Sequence, residues 1–198
     1  TQSAAIEGSF SIDHAVFQDN DEAYYMYIGG IWGGQLQRRE SGQYVAEDTY
    51  PADDQPAISP EVARLTDNML EFAEEPKDVM ILDESGKPLK AGDNERRFFE
   101  AAWVHKYQDT YYFSYSTGDT HYIAYATGDN PYGPFTYQGV VLNPVLGWTN
   151  HHSIVEFNGQ WYLFYHDAEL SNGQTHLRNI KVTELTHRAD GSIETTTP

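Results

Sequence analysis

Three segments of this chain restart on one plan, and that internal repeat limits the possible folds more than any other feature. They are Ser11 to Gly30 (SIDHAVFQDNDEAYYMYIGG), Phe98 to Gly118 (FFEAAWVHKYQDTYYFSYSTG) and Asn150 to Asp167 (NHHSIVEFNGQWYLFYHD). Each opens on a polar or acidic residue, runs through a short alternating strand and a tight turn, and closes on a strand rich in Tyr and Trp. The turns Asp19-Asn20-Asp21-Glu22, Gln108-Asp109 and Asn158-Gly159 carry hairpin chemistry. Two further strands follow the second unit, His121 to Thr127 and Phe135 to Val141, parted by the turn-rich run from Gly128 to Pro134. Leu177 to Leu185 follows the third, ahead of a turn at Ala189-Asp190-Gly191. Hairpin units of roughly 45 to 50 residues and four strands are the pattern of β-propeller blades. A sandwich of the same strands would have no reason to restart on one motif.

Between the first two units lies Glu40 to Arg97, expected to finish one blade and add an elaborated, loop-rich insertion within a single domain spanning 1–198. Pro60 to Leu65 reads as a short helical turn, with Ser59 as cap and Pro60 in first position. Asp83 to Pro88 reads as a turn. Three blades cannot close a ring, and an open propeller exposes strand edges. The expectation is therefore an all-β chain that supplies part of a larger propeller.

Composition narrows the function. Thirty Asp and Glu against 12 Lys and Arg leave a formal charge of −18, a field that repels phosphate backbones and excludes nucleic acid as a partner. No run of eighteen apolar residues is present, so no membrane helix is expected and the chain reads as soluble, cytoplasmic or secreted. Cysteine is absent, which excludes thiolate metal sites and cysteine nucleophiles. Fifteen tyrosines and four tryptophans suit pleated strands, and the same flat rings stack on sugar faces.

Aligning the repeats on their aromatic strands nominates a site. Asp13 stands twelve residues before Tyr25, Glu100 twelve before Tyr112, and His151 eleven before Tyr162. Each falls where the innermost strand of a blade begins, so two carboxyls and an imidazole should converge on the axis. Adjacent histidines on a strand point oppositely, so one of His151 and His152 faces that axis. Trp32 lies in the glycine-rich run Gly29-Gly30-Ile31-Trp32-Gly33-Gly34, which can project the indole as a sugar platform or bury it. That run lacks the lysine and helix of a phosphate cradle. Trp103 is a second candidate for sugar contact, although its place within a strand, like that of Trp161, suits core packing better.

These residues resemble glycoside hydrolase family 43. Ile12-Asp13-His14-Ala15-Val16-Phe17 with Asp19-Asn20-Asp21 is similar to the family's I-D-P-x-x-F-x-D-D-D segment, and Phe99-Glu100-Ala101-Ala102 to its E-G-P or E-A-P motif. His151-His152-Ser153-Ile154-Val155 resembles H-x-S-h-V, and Leu177-Arg178-Asn179 the position of a substrate-reaching arginine. His14 stands where the family has proline, and Ala101-Ala102 where it has Gly-Pro. The resemblance runs from Ser11 to Ile193 and implies a five-bladed propeller, of which this chain would be blades three to five. It implies Glu100 as general acid, Asp13 as the acid's orienter and pKa modulator, and His151, Arg178, Trp32 and Trp103 at the substrate. The catalytic base aspartate would come from a companion N-terminal segment.

The implied activity is an inverting, exo-acting β-xylosidase on xylo-oligosaccharides. An α-L-arabinofuranosidase on arabinoxylan or arabinan, or a non-catalytic carbohydrate-binding propeller, are the alternatives. No cofactor is required by such chemistry. The resemblance also implies a calcium ion on the axis, held through waters by His151.

Overall fold

The computed structural model describes residues 12–39 and 43–198; Ser11 and Glu40, where two of the segments above begin, lie outside them. Among the described residues twelve strands form three separate sheets. The first joins β1 (Ala15–Gln18), β2 (Tyr24–Ile28), β3 (Glu61–Arg64) and β4 (Lys77–Asp78) in antiparallel order. The second is the meander β6 (Phe98–Tyr107), β7 (Thr110–Thr117), β8 (Ile123–Gly128) and β9 (Phe135–Leu142), with β5 (Ile81–Leu82) added in parallel along β9. The third joins β10 (His152–Phe157), β11 (Gln160–Asp167) and β12 (Asn179–Leu185). Strand β6 neighbours both β1 and β10, so the three repeat-opening strands are the inner edges of adjacent blades.

The hairpins follow from turn chemistry. Asn158 and Gly159 both take positive φ, 54° and 80°, as a two-residue hairpin loop requires. Asp19 closes the first turn by accepting from the Glu22 N–H at 3.0 Å. At Asp83 to Pro88 the Asp83 carboxylate accepts from the Ser85 and Lys87 amides, building the expected turn.

Residues 60–65 correct the helical reading. Glu61–Arg64 is strand, paired with Ile28 through Tyr25 on β2, and Val62 and Ala63 are wholly buried. Pro60 sits just before the strand, where its missing N–H costs no ladder bond, and its carbonyl accepts from Val79. Tertiary pairing of a β-branched residue in the core outweighs the local Ser-Pro capping signal.

Two cores fill the seams between blades. Tyr27, Val62, Phe98, Phe113, Tyr115 and Phe135 pack between the first and second sheets. Tyr112, Ile123, Tyr125, Ile154, Leu163 and Leu185 pack between the second and third. Buried tyrosines keep their hydroxyls paired: Tyr27 donates to the Pro131 carbonyl and Tyr112 to that of Gly191, each at 2.7 Å. Strand burial thus holds the blades in register and fixes where their inner edges meet. No helix among the described residues is long and apolar enough to cross a membrane.

Candidate active site

Two strained backbone positions aim the carboxyls. Ala101 lies at φ 60° where the pairing of β6 with β7 slips on both sides of Glu100, a bulge that releases the Ala101 N–H from the ladder. Asp13, at φ 61° just before β1, places Oδ2 3.2 Å from that N–H and accepts its hydrogen bond. Aspartate is among the residue types that tolerate this conformation. Ala101 therefore adopts the left-handed backbone that glycine would supply more easily, and the bend survives the departure from Gly-Pro.

Asp13 Oδ1 lies 3.2 Å from His151 Nδ1, so the first and third blades meet over the second. His152 points the other way, buried, with Nε2 2.6 Å from Ser114 Oγ. Glu100 is 9% exposed, and burial pushes its carboxyl up to about 7. The Asp13 charge adds to that rise, while His151 and Arg178 oppose it. Arg178 stands at the mouth, just ahead of β12. Its Nη2 donates to Thr149 Oγ1 at 3.0 Å and its Nε to the Thr175 carbonyl at 3.2 Å, so hydroxyl and carbonyl oxygens hold the guanidinium.

The aromatic candidates part company. Trp32 is half exposed on the glycine-rich loop, stacked on Trp148 at 5.5 Å and edge-on to Phe99 at 5.5 Å. Trp103 turns inward: its Nε1 donates to the Ile154 carbonyl at 3.0 Å, pinning β6 to β10, while its rim faces a shallow groove shared with His151. Trp161 packs on the second core beside His105 and Tyr107.

Two residues at the site escape the repeat. Trp148 belongs to the glycine-containing loop Leu146-Gly147-Trp148, the pattern that singled out Trp32, and could have been found the same way. His166 on β11 feels Arg178, His151 and Asp13, and burial leads the effects that push it down to about 4. One histidine within a strand carries no sequence signal.

Among the described residues no group of three or more His, Asp or Glu side chains is gathered as a metal would need. One imidazole facing one carboxylate does not match the roughly six to eight oxygen ligands of calcium. On these residues alone most of the ligands of such an ion would have to be waters.

Adjacent propeller-like sheets whose inner strands bring Glu100 and Asp13 within electrostatic reach of each other are an arrangement that β-propeller glycosidases share. The sequence model of the glycosyl hydrolases family 43 matches residues 1–193, and the chain belongs to that family. A Bacteroides ovatus protein named xylosidase/arabinosidase is 62% identical, covering 96% of this chain and 58% of its own length. A Humicola insolens xylosidase/arabinosidase is 57% identical, covering 98% and 61%. The crystal structure of a β-xylosidase/α-arabinofuranosidase from a compost metagenome, holding xylotriose in a calcium-free form, superposes with a TM-score of 0.95. It is 68% identical and covers 99% of this chain and 61% of that one. The chain thus spans about three fifths of the length of these relatives.

Proposed function

We propose that this chain carries the general acid of an inverting, exo-acting β-xylosidase that releases xylose from the ends of xylo-oligosaccharides. The observation that carries the reading is the Glu100 carboxyl, buried, held at about 7 and set beside the Asp13 carboxylate. A group that keeps its proton near neutrality and sits against a fixed anion is poised to protonate a leaving oxygen. The names of the relatives, xylosidase/arabinosidase and β-xylosidase, support pentose as the sugar.

In this mechanism Glu100 gives its proton to the glycosidic oxygen as the bond to the anomeric carbon breaks. A water on the opposite face of the sugar ring loses its proton to a carboxylate base roughly 6.5–9.5 Å from the acid, and the product is inverted. Asp13 holds its own geometry through the Ala101 N–H and His151, and its charge keeps the proton on Glu100 until transfer. Arg178, fixed by Thr149, holds the sugar against movement, and Trp32 offers a ring face. The glycosyl group passes from the leaving oxygen to water with no net oxidation or reduction, so the reaction calls for no redox cofactor.

Asp13 is the one carboxylate among the described residues whose charge acts on Glu100. We therefore place the base on a companion N-terminal segment that completes a five-bladed ring. The test is proton NMR of xylobiose hydrolysis by the complete enzyme. Release of α-xylose first is the expected result; β-xylose first, or no cleavage of xylo-oligosaccharides, overturns the reading. The α-L-arabinofuranosidase reading rests on the double name of the relatives, and competing aryl arabinofuranoside and aryl xyloside assays separate the two.

A further inference from the structure

His151 meets Asp13 from a place that the ion pair alone does not fix. It stands one residue ahead of β10, whose pairing with β11 begins at His152 and Tyr165, so the ladder does not reach it. Its side chain is 37% exposed where Nδ1 faces Asp13 Oδ1 at 3.2 Å, and water screens a pair that open. Where the imidazole stands is therefore set by the residue that follows it.

By strand alternation His152 turns to the opposite side, into the seam between the second and third sheets. It is 3% exposed, and its Nε2 lies 2.6 Å from Oγ of Ser114, which is wholly buried on β7. His152 Nδ1 is buried without a partner, so the contact with Ser114 is the one hydrogen bond this ring makes among the described residues. Breaking it would leave two buried polar groups unpaired. Ser114 is two residues from Ser116, which pairs with Glu100 across the β6–β7 ladder. It also lies opposite Trp103, whose indole N–H holds the Ile154 carbonyl. The first and third residues of β10 are thus fastened to the sheet that carries the acid. A path of strand pairing and buried polar contact runs from Glu100 through Ser116, Ser114 and His152 to His151.

We propose that His152, anchored by Ser114, is the positioning residue that sets His151 against Asp13 and so keeps the Asp13 carboxylate beside Glu100. The inference rests on the glycosidase reading and deepens it. Asp13 has two holds, the Ala101 N–H on Oδ2 and His151 on Oδ1. With the second lost, the carboxylate can turn about the first. Proton delivery by Glu100 then suffers more than departure of a group that needs little protonation.

The experiment uses the complete enzyme with two substrates, xylobiose and an aryl xyloside whose leaving phenol is very acidic. Ser114→Ala and His152→Leu should each lower the ratio of kcat/KM for xylobiose to that for the aryl xyloside by about tenfold, less than the roughly hundredfold that a misplacement of about 1 Å can cost. The double variant should fall no further, because the same bond is missing in all three. His152→Gln, whose side-chain amide can reach Ser114 in place of Nε2, should return the ratio towards wild type. A general loss of stability lowers both substrates together and leaves the ratio alone. An unchanged ratio in both single variants, losses that add in the double variant, or a His152→Gln enzyme no better than His152→Leu overturns the proposal. Should His152→Leu not fold, Ser114→Ala, which removes a single oxygen, decides by the same ratio. If the wild-type enzyme cleaves neither substrate, the glycosidase reading fails by itself. Side-chain nitrogen NMR of the histidines then decides the positioning: a His151 signal displaced in Ser114→Ala supports it, and one left unmoved sinks it.

Discussion

At the scale of single residues the site is a problem of keeping one proton in place. Glu100 has its carboxyl at about 7 because burial and the Asp13 charge together outweigh His151 and Arg178. Glu100→Gln removes the proton donor without changing shape. It should abolish hydrolysis of xylobiose yet spare aryl xylosides with very acidic leaving phenols, whose departure needs little protonation. Equal losses on both substrates in steady-state assays would remove Glu100 from that role. Asp13→Asn tests the neighbour. The anion raises the acid's pKa, so its loss lets Glu100 ionise at lower pH and the basic limb of kcat/KM moves down. Asparagine can still accept from the Ala101 N–H, so the fold should persist. A limb that stays put while activity vanishes, with azide restoring turnover, would make Asp13 the water-activating base instead.

At the scale of elements, the seams between blades do the aligning. Trp103, three residues beyond Glu100 on β6, joins β10 through the carbonyl of Ile154, three residues beyond His151. Trp103→Phe keeps most of the packing but leaves that carbonyl without its donor, and should cost about 1–3 kcal/mol in urea unfolding. A higher KM with unchanged stability would instead mark Trp103 as a sugar contact. The repeat made the inner strands legible, because an acidic or imidazole residue a fixed distance ahead of an aromatic strand is a pattern in one dimension. Ser59-Pro60 misled because capping chemistry is local, whereas the pairing of Val62 with Tyr27 across many residues is not. The bulge at Ala101 was hidden for a related reason. Nothing in the alanine side chain signals a positive φ, and only the slipped register with β7 reveals it. Trp148 and His166 join the site through folding of loop and sheet, without sharing the repeat's phase.

For the whole molecule, the outer blades differ from the inner seams in what they leave uncovered. On β12, Ile180 is 83% exposed and Val182 56%, on the same side of the strand by alternation, with Phe164, opposite Val182 on β11, also exposed. In the interior seams the large apolar side chains of β2, β7 and β8 are packed against the next sheet. An apolar strip of this kind beside the site is what a neighbouring blade would cover. Its presence agrees with a chain that spans about three fifths of its relatives' length. The charge of −18 opposes association of bare chains at low salt, since like-charged surfaces repel over a Debye length of about 30 Å at 10 mM and about 10 Å at 100 mM. The 198-residue chain by itself should therefore be monomeric in dilute buffer and self-associate as salt rises, driven by burial of the β12 strip. Replacing Ile180 and Val182 with lysine should abolish that salt-driven association with little loss of stability, because neither side chain packs in a core. Sedimentation velocity over a salt series reads the outcome directly. A double variant that associates as the parent does would show that some other surface drives the contact.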